Sequence, residues 1–409
     1  MAYELIPNGH VTSPTGFKAG VTSCGIKKGK DDLVILYSEA PTASAAVFTR
    51  NRAAAVPVMI SREVFQLNNV RAVLINSGSA NACTGEKGMA DGKATQEKTA
   101  RVLGLSASQV ALASTGRIGE LLPVESMLAG IERAAAGLRV DQGRRAAAAI
   151  LTSDTTIKEI AVKTTIDGKT VTIGGMAKGS GMINPNMATM LSFVTTDGLV
   201  DTAFLKKTVS EVVDVSYNMI TVDGDTSTND TVMVLANGTA GNRLLDEHHP
   251  EKARFVEALL AVNMGLAMAI IKDGEGATKL VEAVTSGFAS TLDARKAAKA
   301  VLNSIRVKTS LFAEDGYWGR IIGSLGNAGI DLEMDRMALE LSNSRGQSVK
   351  VMEKGCPLHY EESRLEQVLK DGHIIITITA AMGEGTARGW GCDLSHDYVD
   401  ISGFYRHHP

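Results

Sequence analysis

The chain has 409 residues, more than one hydrophobic core usually supports, and this length predicts two domains. With 44% hydrophobic residues, 21% charged residues and a net charge of −3, it has the composition of an ordinary globular protein. The low aromatic content and the absence of a basic stripe or polybasic cluster argue against nucleic-acid partners and against a membrane surface.

Short apolar runs separated by turns fill the first third of the chain and predict four strands. They cover residues 32–38, 45–49, 56–61 and 71–76. Helical periodicity then predicts helices over residues 93–105 and 123–138, with an apolar strand at 110–113 between them.

A predicted hairpin and a glycine-rich segment follow. Asp167-Gly168 separates two strand patterns, at residues 156–164 and 170–173, which is a hairpin signal. Residues 174–181 are rich in glycine, and residues 178–189 predict a loop, tightened by an Asn-Pro-Asn turn, that leads to an apolar strand at 190–194.

The second half of the chain alternates helices and strands. Helices are predicted at about 202–217 and 250–271, the second being a buried helix rather than a membrane span because it contains Glu257 and Asn263. A polar loop at 223–230 precedes a strand at 231–236. This loop lacks the Gly and Glu that an EF-hand requires, so it is either a solvated loop or a polar turn that faces a substrate.

A new segment begins after residue 276, with a helix at 290–305 and a strong apolar strand at 374–380. The mixture of helices and strands predicts an α/β or α+β fold built in layers. We expect one domain over residues 1–280 and a smaller α/β domain over residues 281–409.

Cysteines and histidines give no sign of a metal site. None of the four cysteines forms a CxxC pair, and the eight histidines show no metal-binding spacing. Scattered cysteines favour a reducing compartment, and the first ten residues lack the layout of a signal peptide. We therefore expect a cytoplasmic protein without a bound metal.

Two polar segments are candidates for chemistry. Residues 178–189, Lys-Gly-Ser-Gly-Met-Ile-Asn-Pro-Asn-Met-Ala-Thr, end in a threonine that opens a strand. The Thr189 hydroxyl could attack the carbonyl of Ala188, and the free Thr189 amine left after cleavage could act as its own base. Residues 113–119 place Thr115 and Gly116 at a strand end, where they could stabilise an oxyanion. Taken alone, the first segment is better explained as an ordinary strand–turn–strand connection and the second as a turn.

Further segments, taken together with residues 113–119 and 178–189, form a pattern typical of one protein family. They are Asn76-Ser-Gly-Ser-Ala-Asn-Ala-Cys-Thr-Gly85, residues 152–155, 220–231 and 271–280, and Trp390-Gly-Cys-Asp-Leu394. Together they resemble the ornithine acetyltransferase family, the bifunctional enzymes of arginine biosynthesis. The resemblance runs in order from about residue 16 to 405, and its longest run, over residues 175–192, is too specific to arise by chance.

The resemblance implies an N-terminal-nucleophile-like fold, in which layered sheets are sandwiched by helices, and autolysis between Ala188 and Thr189. It implies that the two resulting chains assemble as α2β2. The family transfers acetyl from N-acetylornithine to glutamate, and some members also use acetyl-CoA, so acetyl-CoA is a candidate co-substrate and no resident cofactor is expected. Thr189 would carry the acetyl group in a ping-pong cycle, with Thr115 and Gly116 as the oxyanion hole.

The resemblance also assigns substrate contacts to Thr152, Lys178 and Glu275. It implies that residues 1–280 form the catalytic domain and that the C-terminal tail of the smaller domain returns to the active site. At the C-terminus the chain departs from the family, because Ser402 stands where an Asn is usual and His407 where a Ser or Thr is usual. These two substrate-binding positions leave a second reading open, a self-processed amidohydrolase or acyltransferase acting on another small amide. A third reading is a non-catalytic binding protein, against which the retained Thr189, Lys178 and Glu275 argue.

Overall fold

The structure is a computed structural model that describes residues 3–184 and 190–403. Ala188, Thr189 and His407 lie outside the described residues. The strands are β1 (Glu4–Leu5), β2 (Phe17–Thr22), β3 (Leu33–Ser38), β4 (Ala43–Phe48), β5 (Ala72–Ser79), β6 (Val110–Arg117), β7 (Lys158–Ile166), β8 (Lys169–Lys178), β9 (Leu191–Thr196), β10 (Thr231–Ala236), β11 (Leu280–Phe288), β12 (Ala338–Asn343), β13 (Ser348–Glu353), β14 (Cys356–Pro357), β15 (His373–Thr379) and β16 (Gly385–Cys392). The helices are α1 (Val56–Gln66), α2 (Gly85–Leu103), α3 (Val124–Ala136), α4 (Gly143–Ala149), α5 (Thr202–Val215), α6 (Lys252–Lys272), α7 (Thr291–Asn303), α8 (Ile305–Phe312), α9 (Gly319–Gly326), α10 (Glu362–Leu369) and α11 (His396–Gly403).

A six-stranded sheet in the order β1-β7-β8-β9-β10-β4 lies at the centre of the fold, and we call it the central sheet. Its side chains alternate between two cores, as the period of a strand requires. In β10, Val232 and Val234 point into one core, whereas Met233 and Leu235 point into the other. The central sheet is therefore covered by apolar layers on both faces.

A four-stranded sheet in the order β2-β3-β5-β6 packs on one face of the central sheet, with α1 and α3 contributing to the same core. On the opposite face lie α5 and α6. The result is the arrangement expected from the sequence and its resemblance, with layered sheets sandwiched between helices.

Helix α6 is long and apolar enough to cross a membrane when judged by length and composition alone. In the fold it packs against β7 and β8 of the central sheet. Phe255, Leu259, Val262 and Leu266 bury one side of it in the core. The prediction of a buried helix is confirmed.

The strands from Leu280 onward form a separate six-stranded sheet, in the order β14-β13-β12-β15-β11-β16, which we call the C-terminal sheet. Its apolar residues and those of α7 belong to the same hydrophobic cluster as α5 and α6. The proposed division at residue 280 coincides with the start of β11, and it stays a prediction.

Three segments differ from what their sequence predicts. Residues 56–61, predicted as a strand, begin helix α1, because Pro57 suits a first helical turn and Val56, Ile60 and Val64 share one helix face. Helix α2 begins at Gly85, eight residues before its predicted start. The strand predicted at 170–173 is longer than expected, because β8 continues through the glycine-rich residues to Lys178 and pairs with β7 up to Ala177 and with β9 up to Lys178.

Candidate active site

Six residues singled out from the sequence line one cavity of about 530 Å³. They are Thr115, Gly116, Thr152, Lys178, Glu275 and Ser402. These residues come from five parts of the chain that are far apart in sequence. Met190, which follows Thr189, lines the cavity as well, so the described chain resumes at the cavity wall directly after the predicted nucleophile. The roles assigned to these residues stay predictions.

Thr115 and Gly116 lie at the end of β6, where it runs parallel to β5. Gly116 is opposite Gly78 and has φ 132°, in the region that favours glycine. A β-carbon added at Gly116 would overlap the Gly78 backbone. The strand end therefore requires glycine, and its backbone lies exposed to the cavity without a side chain over it.

Buried amides support this strand end. The Asn229 side-chain amide donates to the carbonyl oxygens of Ala80 at 2.7 Å and Ser114 at 2.8 Å. The Ser114 hydroxyl in turn donates to Oδ1 of Asn76 at 2.6 Å. Asn229 thus ties the loop after β5 to the residue before Thr115.

The polar loop at 223–230 is not solvated throughout. Thr228, Asn229 and Asp230 are buried, and together with Ser227 they line the cavity. Of the two readings left open by the sequence, the solvated one is wrong for this half of the loop. The run of small polar residues gave the signal, but only the fold shows that it faces inward.

Lys178 is the last residue of β8 and is opposite Leu191 of β9. Its side chain is buried, and its Nζ lies 3.5 Å from Oδ2 of Asp154. Burial alone would raise the pKa of Asp154, but the ammonium groups of Lys178 and Lys158 outweigh burial and hold that pKa well below its ordinary value. Lys178 thus presents a cation to the cavity with a permanent anion behind it.

Glu275 follows the end of α6 and is also buried. Its backbone N–H donates to the Ser180 carbonyl at 2.9 Å. Burial is the main cause that raises the pKa of its carboxyl, Asp223 adds to the rise, and a hydrogen bond from Ser153 opposes it. A β-carbon at Gly181 would overlap the carboxyl, so Gly181 makes room for it.

Ser402 lies on α11 at the edge of the cavity and is exposed. It shares a hydrogen bond with the Tyr398 hydroxyl, whose pKa is raised to about 12, chiefly by burial. Position 402 therefore contributes one short hydroxyl, already shared with a neighbour, to the cavity rim.

The sequence analysis assigned no role to Asp154 or to Asn229. No spacing in the sequence connects Asp154 to Lys178, because the pair forms only when β8 lies beside the segment before β7.

Within residues 3–184 and 190–403, no group of three His, Cys, Asp or Glu side chains could hold a metal ion. A second cavity of about 380 Å³ adjoins the first and shares Arg117, Glu120 and Thr152 with it.

This arrangement offers a cation, an anion and a glycine-lined strand end within one small cavity. Opposite charges on its walls suit a ligand that carries both a carboxylate and an ammonium group. A carbonyl held near the end of β6 would meet donors that stabilise a tetrahedral oxyanion. The cavity therefore fits acyl transfer to or from a small amino acid.

Comparisons with known proteins agree with this assignment. The model of the ArgJ family matches residues 18–407. The chain is 48% identical over 401 residues to the arginine biosynthesis bifunctional protein ArgJ of Caldanaerobacter subterraneus, covering 98% of this chain and 99% of that protein. It is 44% identical over 402 residues to the Bacillus subtilis protein of the same name, covering 97% of each.

A crystal structure of the Bacillus halodurans arginine biosynthesis bifunctional protein ArgJ is similar to this fold. Its TM-score is 0.50 at 38% sequence identity, and the match covers 53% of this chain and 100% of that chain. The layered, N-terminal-nucleophile-like fold expected from the resemblance is thereby confirmed. The chain belongs to the ArgJ family, and it is an acetyltransferase of arginine biosynthesis.

Proposed function

We propose that this enzyme transfers acetyl from N-acetylornithine to glutamate through an acetyl-Thr189 intermediate, after autolysis between Ala188 and Thr189. The observation that carries the proposal is the single cavity that gathers Lys178, Glu275 and the Thr115–Gly116 strand end beside Met190. N-acetylornithine bears one carboxylate, one ammonium and one amide carbonyl. The cavity walls offer a partner for each of these groups.

The substrate carboxylate would meet Lys178 as a point charge, and its ammonium would meet Glu275. Thr152, at the same wall, would complete the contact with the substrate. Burial of both charged side chains strengthens these contacts, because water competes less there than at an exposed surface.

The chemistry would then proceed in two halves. The Thr189 hydroxyl attacks the acetyl carbonyl, and its proton passes to the Thr189 amine. The tetrahedral oxyanion rests at Thr115 and Gly116, and the C–N bond breaks as ornithine takes up the proton and leaves. The neutral glutamate amine next attacks the acetyl ester and gives a proton to the Thr189 amine. The C–O bond to Thr189 breaks, the Thr189 amine returns the proton to its hydroxyl oxygen, and N-acetylglutamate leaves.

The segments on both sides of the proposed cut are tied to the fold. Before it, the Asn184 amide donates to the Gly224 carbonyl at 2.7 Å. After it, the Thr231 N–H donates to the Met190 carbonyl at 2.8 Å.

The rest of the proposal follows the family. We propose an α2β2 assembly of the two cleaved chains, acting in the cytoplasm on small-molecule substrates without a resident cofactor. Acetyl-CoA is proposed as a second acetyl donor, because its thioester carbonyl could acetylate Thr189 at the same strand end. Formation of N-acetylglutamate from labelled acetyl-CoA and glutamate tests this donor, and absence of product would refute it.

The main test is transfer of labelled acetyl from N-acetylornithine to glutamate, combined with mass spectrometry of the denatured protein. We expect labelled N-acetylglutamate, two chains that meet at Ala188–Thr189, and an added acetyl group on the second chain when glutamate is omitted. The Thr189→Ala protein should be one uncut chain without transfer, whereas Thr189→Ser, which keeps a hydroxyl, should still cut.

Two outcomes would contradict the proposal. A cut and active Thr189→Ala protein would exclude Thr189 as the nucleophile. A cut wild-type chain that releases labelled acetate, but no N-acetylglutamate, would show water as the acceptor. In that case the enzyme is the amidohydrolase that the altered Ser402 and His407 positions also suggest.

A further inference from the structure

Three charged side chains are buried together behind the cavity wall. The side chains of Asp154 and Lys158 are 0% exposed and that of Asp273 is 5% exposed. Nζ of Lys158 lies 2.7 Å from Oδ1 of Asp154 and 2.5 Å from Oδ2 of Asp273. We call these three residues the buried clamp. One ammonium between two carboxylates leaves an excess negative charge, which is costly to bury unless another cation is close.

Lys178 is that cation. Its Nζ lies 3.5 Å from Oδ2 of Asp154, the oxygen that does not bond to Lys158. The four side chains together are neutral, which makes their burial tolerable. Lys178 therefore belongs both to the wall of the cavity and to the charge balance of the clamp.

The carboxylates of the clamp also hold the backbone around the cavity. Asp154 accepts hydrogen bonds from the N–H groups of Thr152 at 3.0 Å and Gly179 at 2.6 Å. Asp273 accepts from the N–H of Thr155 at 3.0 Å and from its hydroxyl. Charge-assisted bonds of this kind are about twice as strong as neutral ones. The clamp thus fixes the segment around Thr152 and the end of β8 relative to the end of α6.

The end of α6 leads directly to Glu275. Asp273 is its C-cap residue, and Glu275 stands two residues later, with its N–H bonded to the Ser180 carbonyl at 2.9 Å. The hydroxyls of Ser180 and Ser153 are 2.8 Å apart. Every segment that carries a predicted substrate contact in this wall is therefore bonded to the clamp or to a residue beside it.

We infer that the buried clamp fixes the separation between the Lys178 ammonium and the Glu275 carboxylate and so selects amino acids whose carboxylate and ammonium match that separation. Asp154 is a positioning residue, which acts through Lys178 and does not touch the substrate. The identity of the substrate rests on the proposed function, whereas the clamp rests on the contacts given above.

The test compares Asp154→Asn with the wild-type enzyme. The amide keeps the shape of the carboxylate but removes its charge, so Lys178 loses its anion. We expect KM for N-acetylornithine to rise about tenfold or more, since hydrogen bonds to charged groups are stronger than those between neutral groups. Acetylation of Thr189 by p-nitrophenyl acetate, which has no charge for Lys178 or Glu275 to bind, should stay within about twofold of wild type.

A double-mutant cycle separates positioning from general loosening of the fold. If Asp154 acts through Lys178, then adding Asp154→Asn to Lys178→Met should change KM little beyond the single Lys178→Met change. Additive effects on KM, or an unchanged KM in Asp154→Asn alone, would overturn the inference. Should Asp154→Asn fail to fold, the same measurement of KM is made on Asp273→Asn, which alters the other carboxylate of the clamp.

Asp197 provides a matched control. It is a buried carboxylate that directly follows β9, at the end of this strand away from the cavity, and it accepts the backbone N–H groups of Thr15 at 3.1 Å and Thr172 at 2.7 Å. Asp197→Asn should leave KM unchanged, and a rise equal to that of Asp154→Asn would count against the clamp. If the wild-type enzyme transfers no acetyl, the proposed function fails, and ornithine binding measured by calorimetry then replaces KM as the test of the clamp.

Discussion

In the C-terminal sheet, β15 buries Ile374, Ile376 and Ile378 on one face and leaves half-exposed residues on the other. Around the cavity, by contrast, the buried side chains include those of Asp154, Lys158 and Lys178. Burying an isoleucine is favourable in itself, whereas burying a charge requires a partner placed with care. Buried charges are therefore expected mainly where they serve a function. By this argument the cavity wall is the functional part of the molecule.

Gly116→Ala should have the largest effect on activity, because the added methyl group would push the ends of β5 and β6 apart. Loss of an oxyanion donor costs about 10²–10³-fold in kcat. Gly168→Ala is the matched control: it also has positive φ, in the β7–β8 hairpin, but nothing lies near its added methyl group. Steady-state kinetics should show near-normal kcat for the control, and an equal loss in both variants would remove the distinction.

Ile376→Ala, in the C-terminal sheet, should lower stability and leave activity nearly unchanged. The side chain is 0% exposed, and its removal should lower the free energy of unfolding by about 2–5 kcal/mol. KM and kcat of the folded enzyme should stay near the wild-type values. Urea denaturation and kinetics on the same sample check both statements, and a large rise in KM would mean that this sheet shapes the cavity after all.

The smallest expected effect is a change of KM with pH. The pKa of Glu275 is raised above its ordinary value, mainly by burial, so its carboxylate takes up a proton at a higher pH than an exposed glutamate does. Only the charged form binds an ammonium, and KM for N-acetylornithine should therefore rise as pH falls through the raised pKa. The sign for stability is the same as for any buried acid: the neutral form favours the folded state, and this contribution is lost as pH rises through the folded pKa.

Glu275→Gln checks the assignment of this titration. The variant should have a higher KM near neutral pH and should lose the dependence on pH in the weakly acidic range. A wild-type KM that stays flat from neutral pH down to about the ordinary glutamate pKa of 4.3 would argue that Glu275 does not meet the substrate ammonium.

The sequence predicted most of the regular elements because their patterns are local. The strand at 231–236 has the predicted bounds, and the hairpin around Asp167 forms where its turn residues indicate. Helix α1 was missed because a run of Val, Pro and Ile fits a short strand as well as an amphipathic helix, and only its packing decides.

The contacts within the candidate site could not be predicted from local sequence patterns. Its named residues came from the resemblance, and the fold brings six of them to one cavity. The clamp had no signal in the sequence, since Lys158 and Asp273 are 115 residues apart and each alone resembles an ordinary surface charge. Such contacts follow from the tertiary structure and cannot be read from spacing.

The order of strands in the central sheet has a consequence for the two products of a cut at Ala188–Thr189. Strands β7, β8 and β4 come before the cut, and β9 and β10 come after it. The later pair is inserted between β8 and β4, with backbone ladders on both sides. Neither product could dissociate without breaking the backbone hydrogen bonds between β8 and β9 and between β10 and β4, so the two products would stay associated. Two halves made separately would need to fold around each other, and a native gel would not distinguish the cut protein from the uncut one.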